Sequence, residues 1–178
     1  MRRFFNRYSS PEPVKRLWAP WRQEFLESES KECIFCKLPA EGEKKDKENL
    51  ILLRLKHTFL IMNKYPYNSG HIMVAPYRHL STFNGLKRLE LLELMEGVNI
   101  SCKVLQAEYG AEGFNVGANL GRTAGAGYEH LHVHVVPRWN GDTNFMPVLA
   151  DTKVLPEHLD ETYTRLKAAL QKMGIVKK

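Results

Sequence analysis

One seven-residue stretch, His130-Leu131-His132-Val133-His134-Val135-Val136, constrains this chain more than any other. Successive side chains of a β-strand point to opposite faces of its sheet. A strand over residues 131–136 therefore places three imidazoles on one face and apolar side chains on the other. The apolar face can enter a core, whereas the imidazole face needs polar partners. The stretch thus predicts a sheet with a histidine-lined face.

Three histidines at a strict period of two favour a chemical role over a structural one. One hypothesis makes all three metal ligands, although same-face neighbours on a strand lie roughly 6.5–7 Å apart, so two share an ion more easily than three. The other hypothesis makes one histidine a nucleophile. A neutral imidazole can attack phosphorus and form a phosphoramidate, provided that its second nitrogen is held as a hydrogen-bond donor.

The segment just before the histidines, residues 119–127, is rich in glycine and other small residues. Glycine lets backbone N–H groups approach phosphate oxygens, and successive amides can form an anion-binding nest. Arg122 adds positive charge. An ordinary turn explains such a loop taken alone, but beside the histidine strand it favours a phosphate held against a nucleophile.

Apolar patterning elsewhere predicts strands, a long helix, more strands and a final helix. The predicted strands cover residues 50–53, 58–62, 72–75, 113–119 and 131–136. The long helix ends at Gly110 and has one apolar face, formed by Leu91, Leu94, Met95, Val98, Cys102, Leu105 and Tyr109. A second helix is predicted over 159–170. The expected fold class is α+β with a mainly antiparallel sheet.

The expected organisation is an N-terminal arm over 1–30, a domain over 31–150 and a C-terminal helical extension over 151–178. Trp18 and Trp21 are candidate anchors of the arm. The length of 178 residues suits one compact domain.

Composition excludes several classes of protein. Three cysteines are too few for a disulfide scaffold and indicate a reducing, cytoplasmic compartment. The net charge of +6 is not arranged as a basic stripe with aromatic residues, so polymeric nucleic acid is not an expected partner. No apolar run reaches the ~18 residues that cross a bilayer, so no membrane association is expected.

The pattern of residues 130–136 resembles the signature of the histidine-triad (HIT) superfamily, His-φ-His-φ-His-φ-φ with φ apolar, and the resemblance extends over roughly residues 33–150. Residues 60–63 and 70–76 are similar to its fragile-histidine-triad branch. Residues 136–145 are similar to bacterial diadenosine tetraphosphate phosphorylases and hydrolases. The implied fold is that of HIT proteins, and the implied assembly is a homodimer.

The resemblance also implies site roles. His132 would attack the α-phosphorus and form an adenylyl-histidine, His134 would contact the phosphate, and Asn63 would lie near the ribose. Asn119 stands where the dinucleotide-cleaving branch often has glutamine. The expected nucleotide-binding set is completed by Gly125, Ala126 and Gly127.

Cys33 and Cys36 form a CxxC motif, which by itself fits chance, a redox pair or half of a zinc site. No βαβ context for a thioredoxin-like pair is predicted around it. A closed zinc site needs four ligands, and His79 and His130 are the candidates for the other two. The resemblance implies the same set, since zinc-bearing relatives use a CxxC, a histidine after the third strand and the first triad histidine. This zinc would be structural, and no metal is required at the chemical step.

The expected function is a nucleotide hydrolase or nucleotidyltransferase that cleaves dinucleoside polyphosphates or AMP conjugates at the α-phosphate. Classical transferases of the superfamily often carry glutamine at the third triad position, so His134 shifts the expectation towards water as the acceptor. One alternative is a phosphorylase that uses phosphate instead. Another is a non-catalytic module that binds nucleotides or partners. His71 is a candidate second-layer or core residue, and the roles of Arg138, Trp139 and Phe145 stay open between nucleotide and partner subunit.

Overall fold

The computed structural model describes residues 32–142 and 157–176 of the chain. The expected N-terminal arm over 1–30, with Trp18 and Trp21, lies outside these residues, as does Phe145. The expectations for them stay predictions.

Five strands and three α-helices form the described fold. The strands are β1 (Ile51–Arg54), β2 (Thr58–Met62), β3 (Ile72–Pro76), β4 (Gly113–Gly117) and β5 (Val133–Arg138). The helices are α1 (Ile34–Ala40), α2 (Arg88–Tyr109) and α3 (Leu159–Lys172). All five predicted strands and both predicted helices are present. Helix α1 was not predicted from the sequence.

The sheet has the order β1-β2-β3-β5-β4, and every neighbouring pair is antiparallel. The α+β expectation with an antiparallel sheet is therefore confirmed. Strand β5 lies between β3 and β4, and His134 is paired with Met73 of β3. The end of the histidine stretch thus reaches the interior of the sheet rather than an edge.

The two faces of the sheet bury different clusters. Helices α2 and α3 cover one face, where Leu131, Val133 and Val135 join the main core. The opposite face carries a smaller group, here called the second apolar cluster: Phe35, Ile51, Phe59, Ile61, Met73 and Ala75. The alternation of the histidine stretch is confirmed, because Leu131, Val133 and Val135 all enter the main core.

Strand boundaries near two prolines differ from the prediction. Strand β5 was expected to end at Val136, but it begins at Val133 and continues through Pro137 to Arg138. Strand β3 likewise includes Pro76. Proline lacks an N–H and is tolerated where a strand lacks a partner on one side. Both prolines lie beyond the stretch where β3 and β5 pair with each other.

Helix α2 is rotated relative to the predicted face. Leu91 and Met95 were expected in the core but are 43% and 51% exposed. The buried face instead includes the small residues Gly97 and Ser101. A Cβ at Gly97 would lie 2.7 Å from Cγ1 of Val74, so the helix approaches the sheet closely at this point. The helical period predicted from the sequence is confirmed, but the close packing of small residues against the sheet determines which face of α2 is buried.

Helix α3 joins the main core through Tyr163, Leu166, Ala169 and Leu170. The Tyr163 hydroxyl donates a hydrogen bond to the Ile51 carbonyl. The C-terminal helix is therefore packed on the same core as α2. Within residues 32–142 and 157–176, no helix has the length and apolarity needed to cross a membrane.

Candidate active site and metal centre

His132 is held in one tautomer by the backbone. Its Nδ1 lies 2.7 Å from the carbonyl oxygen of His130. A carbonyl oxygen only accepts, so Nδ1 carries the proton and donates it, and Nε2 keeps its lone pair. Burial lowers the pKa of His132, and the side chain is only 7% exposed. The ring is therefore a neutral imidazole with an unprotonated Nε2, as nucleophilic attack requires.

The ring of Phe35, from helix α1, lies against that imidazole. The two ring centres are 4.5 Å apart and their planes differ by 23°. Phe35 also lies 5.3 Å from the ring of His130. The phenyl ring thus packs on both the first and the middle histidine of the triad.

A hydrogen bond from His71 fixes the tautomer of His134. The Tyr67 amide donates to Nδ1 of His71 at 3.1 Å, so the proton of a neutral His71 is on Nε2. That Nε2 lies 2.9 Å from Nδ1 of His134 and donates to it. A neutral His134 therefore carries its own proton on Nε2. The sequence leaves His71 open between a second-layer and a core residue; it is buried and lies in hydrogen-bond contact with the third triad histidine.

A cleft of about 360 Å³ opens over these rings. His132 and His134 border it, together with four predicted nucleotide-site residues, namely Asn63, Asn119, Gly125 and Gly127. Its apolar wall includes Ile34, Phe35, Leu38, Leu50, Ile61, Met62 and Met73. Ala126 is not among the described residues that border the cleft. Such a mixture of an apolar wall and a few convergent polar groups is typical of small-molecule sites.

The two asparagines hold the walls of the cleft. Oδ1 of Asn63 accepts from the Tyr65 amide at 2.9 Å, and its Nδ2 lies 3.4 Å from Nδ1 of His71. Nδ2 of Asn119 donates to the Gly125 carbonyl at 3.4 Å. Both side chains therefore border the cleft and brace the loops around it.

Backbone amides of the glycine loop are used in hydrogen bonds within the loop itself. Gly125 donates to the Arg122 carbonyl at 3.0 Å, and Ala126 donates to the Gly121 carbonyl at 3.3 Å. The Gly127 amide makes no hydrogen bond within the described part of the chain. Arg122 pairs with Glu129 at 3.1 Å at the surface and does not border the cleft. Of residues 125–127, the predicted phosphate-binding part of the loop, Gly127 is the one whose amide is not used inside the loop.

Four side chains form a second cluster behind the triad. The ligand atoms of Cys33, Cys36, His79 and His130 all lie within 4.8 Å of one another. Nδ1 of His130 is 3.3 Å from Sγ of Cys33 and 3.5 Å from Sγ of Cys36, and Nδ1 of His79 is 3.4 Å from Sγ of Cys36. Zinc bond lengths in a tetrahedral site place neighbouring ligand atoms ~3.3–3.8 Å apart. The spacing and the donor set fit zinc.

The imidazole of His130 is oriented for this role. Its Nε2 lies 2.9 Å from the Pro76 carbonyl and donates to it, which leaves Nδ1 as the lone-pair nitrogen that faces the thiols. Burial lowers the pKa of His130 to about 4, so the ring is neutral at physiological pH. His130 therefore belongs with the cysteines, and the triad divides between the cluster and the cleft.

Arg138 and Trp139 lie away from the cleft. Arg138 pairs with Asp142 and donates to Asn115 at 2.8 Å. Nε1 of Trp139 donates to the Tyr109 carbonyl at 2.9 Å. Their contacts here are with the end of α2 and the neighbouring strand.

The site also includes residues that sequence reasoning missed. Phe35 and the whole of α1 were not assigned, although Ile34, Phe35 and Leu38 have the three- and four-residue spacing of a helix face. Tyr67 was not assigned either; its amide donates to Nδ1 of His71, and its ring stacks on the same imidazole with the ring centres 4.8 Å apart. No sequence pattern marks a backbone donor.

The HIT domain family model matches residues 44–141. AP-4-A phosphorylase of Mycobacterium tuberculosis (strain H37Rv) is 41% identical over 160 residues, which cover 84% of this chain and 80% of the relative. An uncharacterized HIT-like protein of Methanocaldococcus jannaschii is 33% identical and covers 76% of this chain and 98% of its own length. Among solved structures, a Zn-bound histidine triad family protein from Mycobacterium smegmatis superposes with a TM-score of 0.64 at 21% identity, covering 80% of this chain and 96% of that one.

The fold and the site together define an α+β protein in which an interior strand and the segment before it present histidines to a cleft of about 360 Å³. With the family match and these relatives, the chain belongs to the HIT family.

Proposed function

We propose that this protein is a nucleotidyl-transfer enzyme that cleaves dinucleoside polyphosphates at the α-phosphorus through a covalent adenylyl group on Nε2 of His132. The hydrogen bond from Nδ1 of His132 to the His130 carbonyl carries the proposal, because it leaves Nε2 as the lone-pair atom at the cleft. The names of the relatives support the substrate class, since they include AP-4-A phosphorylase and bis(5'-adenosyl)-triphosphatase.

In the first step Nε2 of His132 attacks the α-phosphorus and forms a P–N bond. The P–O bond to the rest of the substrate breaks, and with diadenosine tetraphosphate the departing group is ATP. Nε2–H of His134 and the Gly127 amide are the donors proposed for the phosphoryl oxygens. Donors already in place stabilise the charge that develops at phosphorus.

In the second step an acceptor oxygen attacks the adenylyl phosphorus, and the P–N bond breaks with its electron pair returning to Nε2. We propose phosphate as the acceptor, which yields ADP. The 41% identity to AP-4-A phosphorylase supports this choice. Water is the second candidate and yields AMP. It is supported by a bis(5'-nucleosyl)-tetraphosphatase of Schizosaccharomyces pombe, 29% identical over 63% of this chain.

Product analysis separates the two acceptors. With diadenosine tetraphosphate and excess phosphate, phosphorolysis gives ADP and ATP in equal amounts. AMP and ATP, unchanged by added phosphate, would exclude phosphate as the acceptor and leave hydrolysis.

His132→Asn tests the nucleophile, with His158→Asn as the matched control at an exposed helix cap. A substrate labelled on the α-phosphorus is expected to label wild type and control, and not His132→Asn. Full turnover by His132→Asn would remove the proposal. Tight adenine-nucleotide binding without turnover in the wild type would instead support a non-catalytic binding module.

The cluster of Cys33, Cys36, His79 and His130 is proposed to hold a structural zinc ion. The ion would supply two thiolate and two imidazole bonds that tie α1 to the segments just after β3 and just before β5. One equivalent of zinc by elemental analysis of the purified protein, lost in Cys33→Ser, is the expected result. Full occupancy in that variant would contradict it.

A cytoplasmic homodimer is proposed as the working form. The family resemblance implies the dimer, and the exposed edge strand β4 with Val116 and the exposed Leu91 and Met95 of α2 supply apolar surface for it. Sedimentation equilibrium is expected to give twice the chain mass. A monomer at micromolar concentration would contradict the dimer. The reducing compartment rests on the few cysteines.

A further inference from the structure

We propose that Phe35 is a positioning residue through which the metal centre holds the ring plane of His132 and the apolar wall of the cleft. The inference rests on the proposed function of His132 as nucleophile. Besides stabilising the fold, the metal centre would thereby orient the nucleophile.

Helix α1 depends on anchors outside itself. It has only seven residues, and isolated helices of that length do not persist in water. Cys33 stands at its N-cap and Cys36 lies in its first turn, so both thiols of the cluster belong to this one element. The imidazole partners come from the segment just after β3 and the segment just before β5. A metal bound to all four would therefore fasten α1 to the sheet.

Phe35 lies between the two cysteines in sequence and between the two sites in space. Its side chain is 1% exposed, and its ring is in contact range of both the ligand imidazole of His130 and the nucleophile His132. Tyr128 makes an edge-on contact with the same phenyl ring, at 6.0 Å between the ring centres. A shift of α1 therefore moves a ring that touches His132.

The stack supplies a restraint that the hydrogen bond of His132 cannot. The bond from Nδ1 to the His130 carbonyl fixes one atom of the imidazole, but it leaves the plane of the ring able to turn about that contact. The phenyl ring, lying at 23° to the imidazole, restricts that rotation. The direction of the Nε2 lone pair then follows from the position of α1. Ile34 and Leu38 of the same helix border the cleft, so its wall moves with the same element.

Phe35→Leu tests the stack and is compared with Phe59→Leu. Both substitutions remove a buried phenyl ring from the second apolar cluster, but Phe59 stacks on Tyr77 and does not border the cleft. In zinc-loaded protein, we expect Phe35→Leu to slow adenylyl transfer by about 10- to 100-fold, the loss typical of a reacting group displaced by about 1 Å. Phe59→Leu should keep the wild-type rate. Equal rates in the two variants would overturn the proposal. Phe35→Met serves if the leucine variant does not fold.

A readout independent of turnover is the NMR signal of the His132 ring in histidine-labelled protein without substrate. Wild type should show an upfield ring-current shift that is lost in Phe35→Leu and kept in Phe59→Leu. Removing zinc with a chelator should abolish the same shift and weaken AMP binding. If chelation unfolds the protein, His79→Gln, which removes one exposed ligand, takes its place.

Combining the two perturbations decides whether the metal acts through Phe35. If it does, zinc removal slows the wild type strongly but slows Phe35→Leu by less than about 2-fold, since perturbations of one pathway are not additive. If zinc removal slowed Phe35→Leu by the same factor as it slows wild type, the coupling would be overturned. If no adenylyl-protein forms in wild type, the proposed function fails, while the ring shift and AMP affinity still test the positioning role.

Discussion

Replacing Gly97 by alanine sets two effects of opposite sign against each other. Alanine is a better helix former by about 1 kcal/mol in a helix interior. The added Cβ, however, would lie 2.7 Å from Cγ1 of Val74 and 3.2 Å from Cδ1 of Leu60. The first distance is about 1 Å short of the optimum between carbon atoms.

Neither neighbour can yield easily. Val74 and Leu60 are fully buried on adjacent strands, and valine has little rotamer freedom. Overpacking of a core typically costs about 1–3 kcal/mol. We place this contact in the upper half of that range, so the steric cost outweighs the helix gain and leaves a net loss of about 1–2 kcal/mol. Val74 pairs with Val133 of β5, so the displacement reaches the strand beside His132.

Urea unfolding of wild type and Gly97→Ala measures the loss, with an unchanged m-value showing that both unfold alike. Asn99→Ala is the control, because it gains helix propensity on an exposed face of the same helix and should be stabilising by about 0.5 kcal/mol. Slower turnover by Gly97→Ala should accompany the lower stability. If Gly97→Ala were as stable as wild type, the close approach of α2 to the sheet would be wrong.

Three further perturbations test the site and its surroundings. His71→Asn removes the imidazole that donates to Nδ1 of His134, and it should lower kcat about 10- to 100-fold with little change in AMP affinity. Steady-state kinetics measure kcat, and calorimetry measures the affinity. An unchanged kcat would contradict the tautomer assigned to His134. The hydrogen bond from Arg78 lowers the pKa of Glu90 from 4.5 to about 2, so the stabilisation that Glu90 contributes is complete above pH 4.5 and is lost as the pH falls towards 2. The drop in the urea midpoint between pH 7 and pH 3 should therefore be smaller in Glu90→Gln than in wild type. Equal drops in the two proteins would refute this. Cys36→Ser should lose zinc and with it any rise in melting temperature on zinc addition, measured by calorimetry; a zinc-dependent rise equal to that of wild type would count against the metal centre.

Local patterns predicted most of the fold. The alternation of His130 to Val136 determined which side chains enter the core, because a strand has a period of two whatever packs around it. The apolar period also located α2, but not its rotation, since that depends on Val74 and Leu60 against Gly97. Sequence alone does not show where two elements approach most closely.

By itself, the sequence determined the chemical inventory of this protein: imidazoles that alternate with apolar residues, a glycine loop before them, and two thiols with two candidate histidine partners. The tertiary structure decided what each group can do. It sets the tautomer of His134 through His71, 63 positions away, and it brings Cys33 to His130 across 97 positions. Proton positions, ring planes and metal geometry depend on contacts between distant residues, and folding alone brings those residues together.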